Sequence, residues 1–185
     1  YFVEPGQNRT SGMDGLISTQ PPASNADQVT ASALDDDVQF MSISMMSTLE
    51  LFGRKFFANE THYVPVELFL KSEGPQNSNV DWTVSIMTTE RTLGSTTYSG
   101  SVCTASFGSS CDFDHEIIDV GIGSSESFDV RKGERLIVKV RASMSGCDGG
   151  NSPFGGSDCS ADVAFNRIDN EPNKFSKMEA CLLYT

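Results

Sequence analysis

The stretch Arg135-Leu136-Ile137-Val138-Lys139-Val140-Arg141-Ala142 decides the fold class. In an extended chain, Leu136, Val138, Val140 and Ala142 fall on one face and Arg135, Ile137, Lys139 and Arg141 on the other. A period of two in a run rich in β-branched residues marks a half-buried strand. The same period recurs on both sides of it. Val64, Val66, Leu68 and Leu70 alternate with Pro65, Glu67, Phe69 and Lys71. Pro65 cannot donate to a ladder, so this strand is expected to start there or to lie at an edge. Trp82, Val84 and Ile86 alternate with Thr83 and Ser85, and Ala161, Val163 and Phe165 with Asp162, Ala164 and Asn166. Trp82 is in phase with its apolar neighbours, which reads as a core anchor, with a sugar-stacking platform as the alternative.

Further strands are expected over residues 97–104 and 113–120, and at the apolar tail 180–185. Phe128 and Val130 lead into Arg131-Lys132-Gly133-Glu134, a turn with Gly where a left-handed residue is needed. Residues 38–52 alternate at Met41, Ile43 and Met45 until Met46 breaks the phase, as a bulged strand does, with a short helix as the competing reading. Eight or nine short strands separated by turn signals, with no long helical period, read as an all-β fold. We expect an antiparallel two-sheet sandwich, jelly-roll-like, with each strand's apolar face turned inward.

Residues 1–37 differ from the rest. Gly, Ser, Pro, Asn and Gln dominate, Pro21-Pro22 stiffens the chain, and Asp35-Asp36-Asp37 ends it as a solvated hinge. We read 1–37 as an extended arm or linker and 38–185 as the sandwich domain. An arm that cannot order itself must be held by its own domain or by a neighbour.

The five cysteines show no metal-ligand spacing. Cys103 and Cys111 flank one turn-rich stretch between strand-like runs, and Cys147 and Cys159 flank another. Hairpin closure would set each pair face to face, so Cys103–Cys111 and Cys147–Cys159 are the expected bridges. Disulfides imply an extracellular or another oxidising, exported compartment. The chain opens at Tyr1 without an initiator Met, as after leader removal or in a fragment. Cys181 is left over, either as a small buried side chain or for an intermolecular bridge. Two glycosylation sequons stand at Asn8 and Asn59, while Pro153 blocks a third at Asn151. Phe56-Phe57 and Tyr63 flank the second, either as cover for a core edge or as a sticky patch.

With 13 Lys and Arg against 25 Asp and Glu, the net charge is −12. That balance disfavours nucleic acid and anionic membranes as partners. No apolar run is long enough to insert into a membrane. Only His62 and His115 could act as a catalytic base, and no GxSxG elbow is present. Asp112, Asp114 and Glu116 would share one face of a strand, either as a wet surface or as a hard-cation site for Ca2+. Asp148, Asn151 and Asp158 offer a second set of oxygens in the loop from Cys147 to Cys159, without the EF-hand spacing.

The expectation is therefore a non-catalytic structural or assembly subunit, with the arm contacting other copies or other subunits. The alternative is a Ca2+-assisted carbohydrate-binding module. An enzyme ranks last.

Overall fold

The computed structural model describes residues 2–5, 15–18, 28–32, 39–50, 53–104, 111–146, 159–164 and 177–178. Their regular structure is all strand: β1 (Phe2–Pro5), β2 (Gly15–Ser18), β3 (Gln28–Ser32), β4 (Gln39–Glu50), β5 (Arg54–Phe56), β6 (Thr61–Glu73), β7 (Asn79–Thr88), β8 (Thr92–Ser101), β9 (Asp114–Gly123), β10 (Phe128–Val130), β11 (Arg135–Ser145), β12 (Ser160–Ala164) and β13 (Lys177–Met178). No helix among the described residues is long and apolar enough to cross a membrane.

Eight strands form the sandwich. One sheet runs β3-β12-β6-β9 and the other β4-β11-β7-β8, all antiparallel within each sheet. Along the chain the strands alternate between the sheets, apart from the β7–β8 hairpin. This is the double Greek-key order of a jelly roll. Along one side, β13, β1 and β2 bridge from β6 to β4, with β2 parallel to β4. A two-stranded ladder of β5 and β10 lies beside the sandwich.

Alternation places the core where the sequence puts it. Val64, Val66, Leu68 and Leu70 of β6 are buried against Val80, Trp82, Val84 and Ile86 of β7 and Leu136, Val138, Val140 and Ala142 of β11 in one cluster. Trp82 is 2 % exposed and anchors that core. A fully buried side chain of this size contributes about 2–3 kcal/mol, which is why the alternating face cannot slip by one residue. Ile137 is buried as well, on the outer face, in register with Met87.

Three details refine the sequence reading. The strand containing Pro65 neither starts at Pro65 nor lies at an edge: it begins at Thr61 and is flanked by β9 on one side and by β12 and β13 on the other. Pro65 pairs with Asp119 of β9, while on the other side β13 and β12 pair only from Val66 onward, so no ladder there needs its missing N–H. In β4 the ladder with β11 shifts between the pairs Ile137–Met46 and Arg135–Glu50, so a bulge follows Met46. The segment 1–37 contributes three short strands, and one of them, β3, pairs with β12 over five residues.

The free edges of the two sheets meet at β8 and β9. A Cβ on Gly94 would stand 2.0 Å from the Gly121 carbonyl oxygen, so the two backbones touch there. Thr96 Oγ1 donates to the Asp119 carbonyl 3.0 Å away and ties the same seam. Gly133 is needed for a different reason. Its φ is +92°, and a Cβ there would meet nothing within 4 Å. We expect Gly94→Ala to cost about 3 kcal/mol by forcing the seam apart. Gly133→Ala should cost only about 1 kcal/mol, through backbone conformation alone. Urea denaturation of both variants checks the ranking, and equal or reversed costs would contradict the seam contact.

Candidate functional site

Past the Gly94–Gly121 contact the seam opens into a small cleft. On β9, Ile118, Val120 and Ile122 point into the core. Asp114 and Glu116 continue that face toward the end of the sandwich, where the sheets splay. They line the mouth of the cleft, Asp114 exposed and Glu116 half-buried, and the outward positions go to His115, Ile117 and Asp119. From the opposite sheet, β8 presents Tyr98 and Gly100, with Trp82 and Leu70 forming the floor.

Tyr98 donates its hydroxyl to Glu116 Oε1 at 2.6 Å, bridging the two sheets across the mouth. The space left is about 20 Å³, roughly one water molecule and far below the size of a ligand pocket. The hydrogen bond to Glu116, partial burial and the nearby charge of Asp114 push the Tyr98 phenol up to about 12. The phenol is thus a neutral donor and the bridge a latch. Gly100 leaves room for it, since a Cβ there would touch the Tyr98 ring at 3.4 Å.

The other expected ligands do not converge on this cleft. Asp112 lies before β9 begins, so only Asp114 and Glu116 are brought together. Among the described residues no three His, Cys, Asp or Glu side chains gather in a metal-binding arrangement. Asp148, Asn151, Asp158, Cys147, Cys181 and Asn8 lie outside the described residues, as does Asp35-Asp36-Asp37. Neither histidine takes part in the latch: His115, next to Glu116 in β9, faces the opposite side of the strand. His115 Nε2 lies 2.8 Å from Glu67 Oε1 and its ring stacks on Phe69. His62 Nε2 stands 3.7 Å from Glu60 and packs edge-on against Phe56.

Cys103 and Cys111 are bonded, with their Cα atoms 6.0 Å apart. The pairing matches expectation, but the reason does not. β8 and β9 belong to different sheets, so the bridge closes a loop that crosses between sheets and not a hairpin. Cys103 also bridges to Glu73 through the backbone, with its N–H donating to the Ser72 carbonyl. Closing so short a loop contributes about 2–3 kcal/mol in the chain-entropy model. Cys159 is disulfide-bonded too.

The sequence reading missed a charged group on the outer face. Lys71 Nζ lies 3.1 Å from Asp162 Oδ2 and 3.3 Å from Glu73 Oε1. Lys71 and Asp162 are direct cross-strand partners of β6 and β12. Burial opposes the ammonium charge, yet the hydrogen bonds and charges of Asp162 and Glu73 outweigh it and raise the Lys71 pKa. The Asp162 side chain is only 4 % exposed, and its Oδ1 finds no hydrogen-bond partner among the described residues.

No protein-family model matches the chain, and no curated protein matches its sequence. The chemistry must be read from these residues alone.

Tyr98 should ionise near pH 12, well above an ordinary tyrosine at about 10. A folded-state value above the unfolded one favours the fold below pH 10, and the contribution fades as pH rises toward 12. Alkaline titration of phenolate absorbance should lose this late step in Glu116→Gln. An unchanged titration would disprove the latch.

For the buried pair, Lys71→Met should cost about 3 kcal/mol by stranding the Asp162 carboxylate. Lys71→Met with Asp162→Leu should recover most of that loss. Denaturant midpoints of the two variants test this, and no recovery in the double variant would refute it.

Proposed function

We propose that the chain is a non-catalytic, exported structural subunit of a filament, coat, surface layer or larger complex. In this reading residues 1–37 make its subunit contacts. The supporting observation is how the described parts of that segment engage the body. β1, β2 and β3 are four or five residues long and join it through backbone ladders, β2 along β4 and β3 along β12. Main-chain ladders do not require both strands to come from one molecule, so short strands of this kind can pair with a neighbour's edge. β3 also ends its sheet, leaving an edge on which a further strand can dock.

The disulfides at Cys103–Cys111 and Cys159 favour an oxidising, exported setting. The cleft beneath Tyr98 favours a structural role, because it has room for about one water and Tyr98 is spent on Glu116. The carbohydrate-binding alternative draws less support. The one tryptophan, Trp82, is in the core and offers no stacking platform, and no three carboxylate, His or Cys side chains gather to hold Ca2+ among the described residues.

The test is particle size by light scattering and electron microscopy. Three forms are compared: the full chain, a form lacking residues 1–27 that keeps β3, and one lacking 1–37. We expect large regular particles from the full chain. The 1–27 deletion should be a monomer that retains its β spectrum. If all three are compact monomers, the assembly reading fails.

A further inference from the structure

We propose that Asn59 is a glycan acceptor whose first sugar ring stacks on Phe57, so that the modification stiffens the turn between β5 and β6. The inference rests on the export reading, since only an exported chain meets the transferase.

The turn is built for display. The Glu60 N–H donates to the Phe57 carbonyl at 3.3 Å, closing residues 57–60. Asn59 takes a φ of +61°, a left-handed conformation that Asn tolerates at the third position of such a turn. The loop after β9 holds the turn in place. The Asn59 N–H donates to the Ser124 carbonyl at 2.9 Å, and the Ala58 N–H to Ser127 Oγ at 3.0 Å. Asn59, Glu60 and Thr61, the whole sequon, are exposed.

The adjacent phenylalanines divide their roles. Phe56 is 1 % exposed and stacks on Phe128 in the core, whereas Phe57 is 54 % exposed. More than half of Phe57 is open to solvent, with Lys55 Nζ 5.7 Å from the ring centroid. Phe57 and Asn59 are the first and third residues of the turn, and two residues of chain span at most about 7 Å, so a sugar on Asn59 lies within reach of the Phe57 ring. The apolar C–H face of a hexose suits an open aromatic face.

In the transfer, Asn59 Nδ2 forms a bond to the anomeric carbon of a lipid-pyrophosphate-linked oligosaccharide. The bond from that carbon to phosphate oxygen breaks, the lipid pyrophosphate leaves, and the amide gives up one proton.

The experiment secretes the full chain, behind an export leader, from a eukaryotic host that modifies Asn-x-Thr. Peptide mass spectrometry reads occupancy at Asn59, with Asn59→Gln as the blank. Melting is then compared before and after enzymatic trimming to the bare chain. We expect occupancy and a gain of about 2–4 °C from the glycan. Phe57→Ala should abolish the gain while the unmodified chain melts as before, and Phe57→Tyr should restore it. An empty Asn59, or a gain that survives Phe57→Ala, overturns the proposal. Failure of the export reading shows separately, as free thiols at Cys103 and Cys111 in protein taken from its own cells.

Discussion

The structure depends on a backbone contact between β8 and β9, where Gly94 meets the Gly121 carbonyl. Two sheets that face each other across a core normally diverge at their edges. Here Gly94, having no Cβ, lets the edges touch, and everything along the seam follows from that closure. The Thr96–Asp119 hydrogen bond lies just beyond the contact. Further out the sheets separate by enough to need a side-chain latch, which Tyr98 and Glu116 supply. Beyond the latch, the chain crosses from one sheet to the other and Cys103–Cys111 fastens the crossing. The seam passes from backbone contact to hydrogen bond to latch to disulfide as the gap widens. Closure of this kind also removes two sheet edges that would otherwise invite pairing.

The opposite side is closed differently. There β13, β1 and β2 run between β6 and β4 with short registers, the briefest being the single residue pair Phe2–Lys177 between β1 and β13. Each short ladder contributes few bonds, and loop-closure entropy opposes joining segments so distant in sequence. One seam is thus locked by covalent and side-chain bonds, while the other is held by short strands from the chain's beginning and end. The proposed assembly role would draw on the second side, where only short ladders would have to be broken for a strand to pair elsewhere.

How much of this the sequence shows depends on where each strand's apolar residues stand. β6, β7 and β11 are legible because their inward positions are Val, Leu, Ile and Trp at a strict period of two. The start of β8 is not legible. Its inward residues are Gly94, Thr96, Tyr98 and Gly100, so no apolar alternation announces it. Had the strand been read from Thr92, Tyr98 would have fallen on the inner face opposite Glu116. Spacing leaves Asp114 and Glu116 as either a wet face or a hard-cation site; strand phase adds that they follow the core-facing positions of β9 past the end of the core, where Asp114 is exposed and Glu116 half-buried. The Cys103–Cys111 bond was legible as a short closed loop, but whether its flanking strands share a sheet is a long-range property that spacing cannot carry.

The two outer faces divide the remaining physical work. On β7 and β8 the outward residues satisfy each other across the ladder: Thr83 with Thr97 at 3.2 Å, Ser85 with Ser95 at 3.0 Å, and Ser99 with Asp81 at 2.6 Å. Such a face meets water without strain and asks for no cover. The outer face of β6 and β12 is built from different material. Phe69 and Ala164 are buried there, His115 stacks on Phe69, and Lys71 is held between Asp162, Glu73 and the Phe113 ring. An ion pair in that position costs desolvation that only correct pairing offsets, so it fixes the register of β12 on β6 more sharply than apolar residues would. In a sheet whose last strand, β3, rests on β12 alone, that register decides where the edge begins. The geometry offered to any neighbouring strand is therefore set by a charged pair two strands inside the edge.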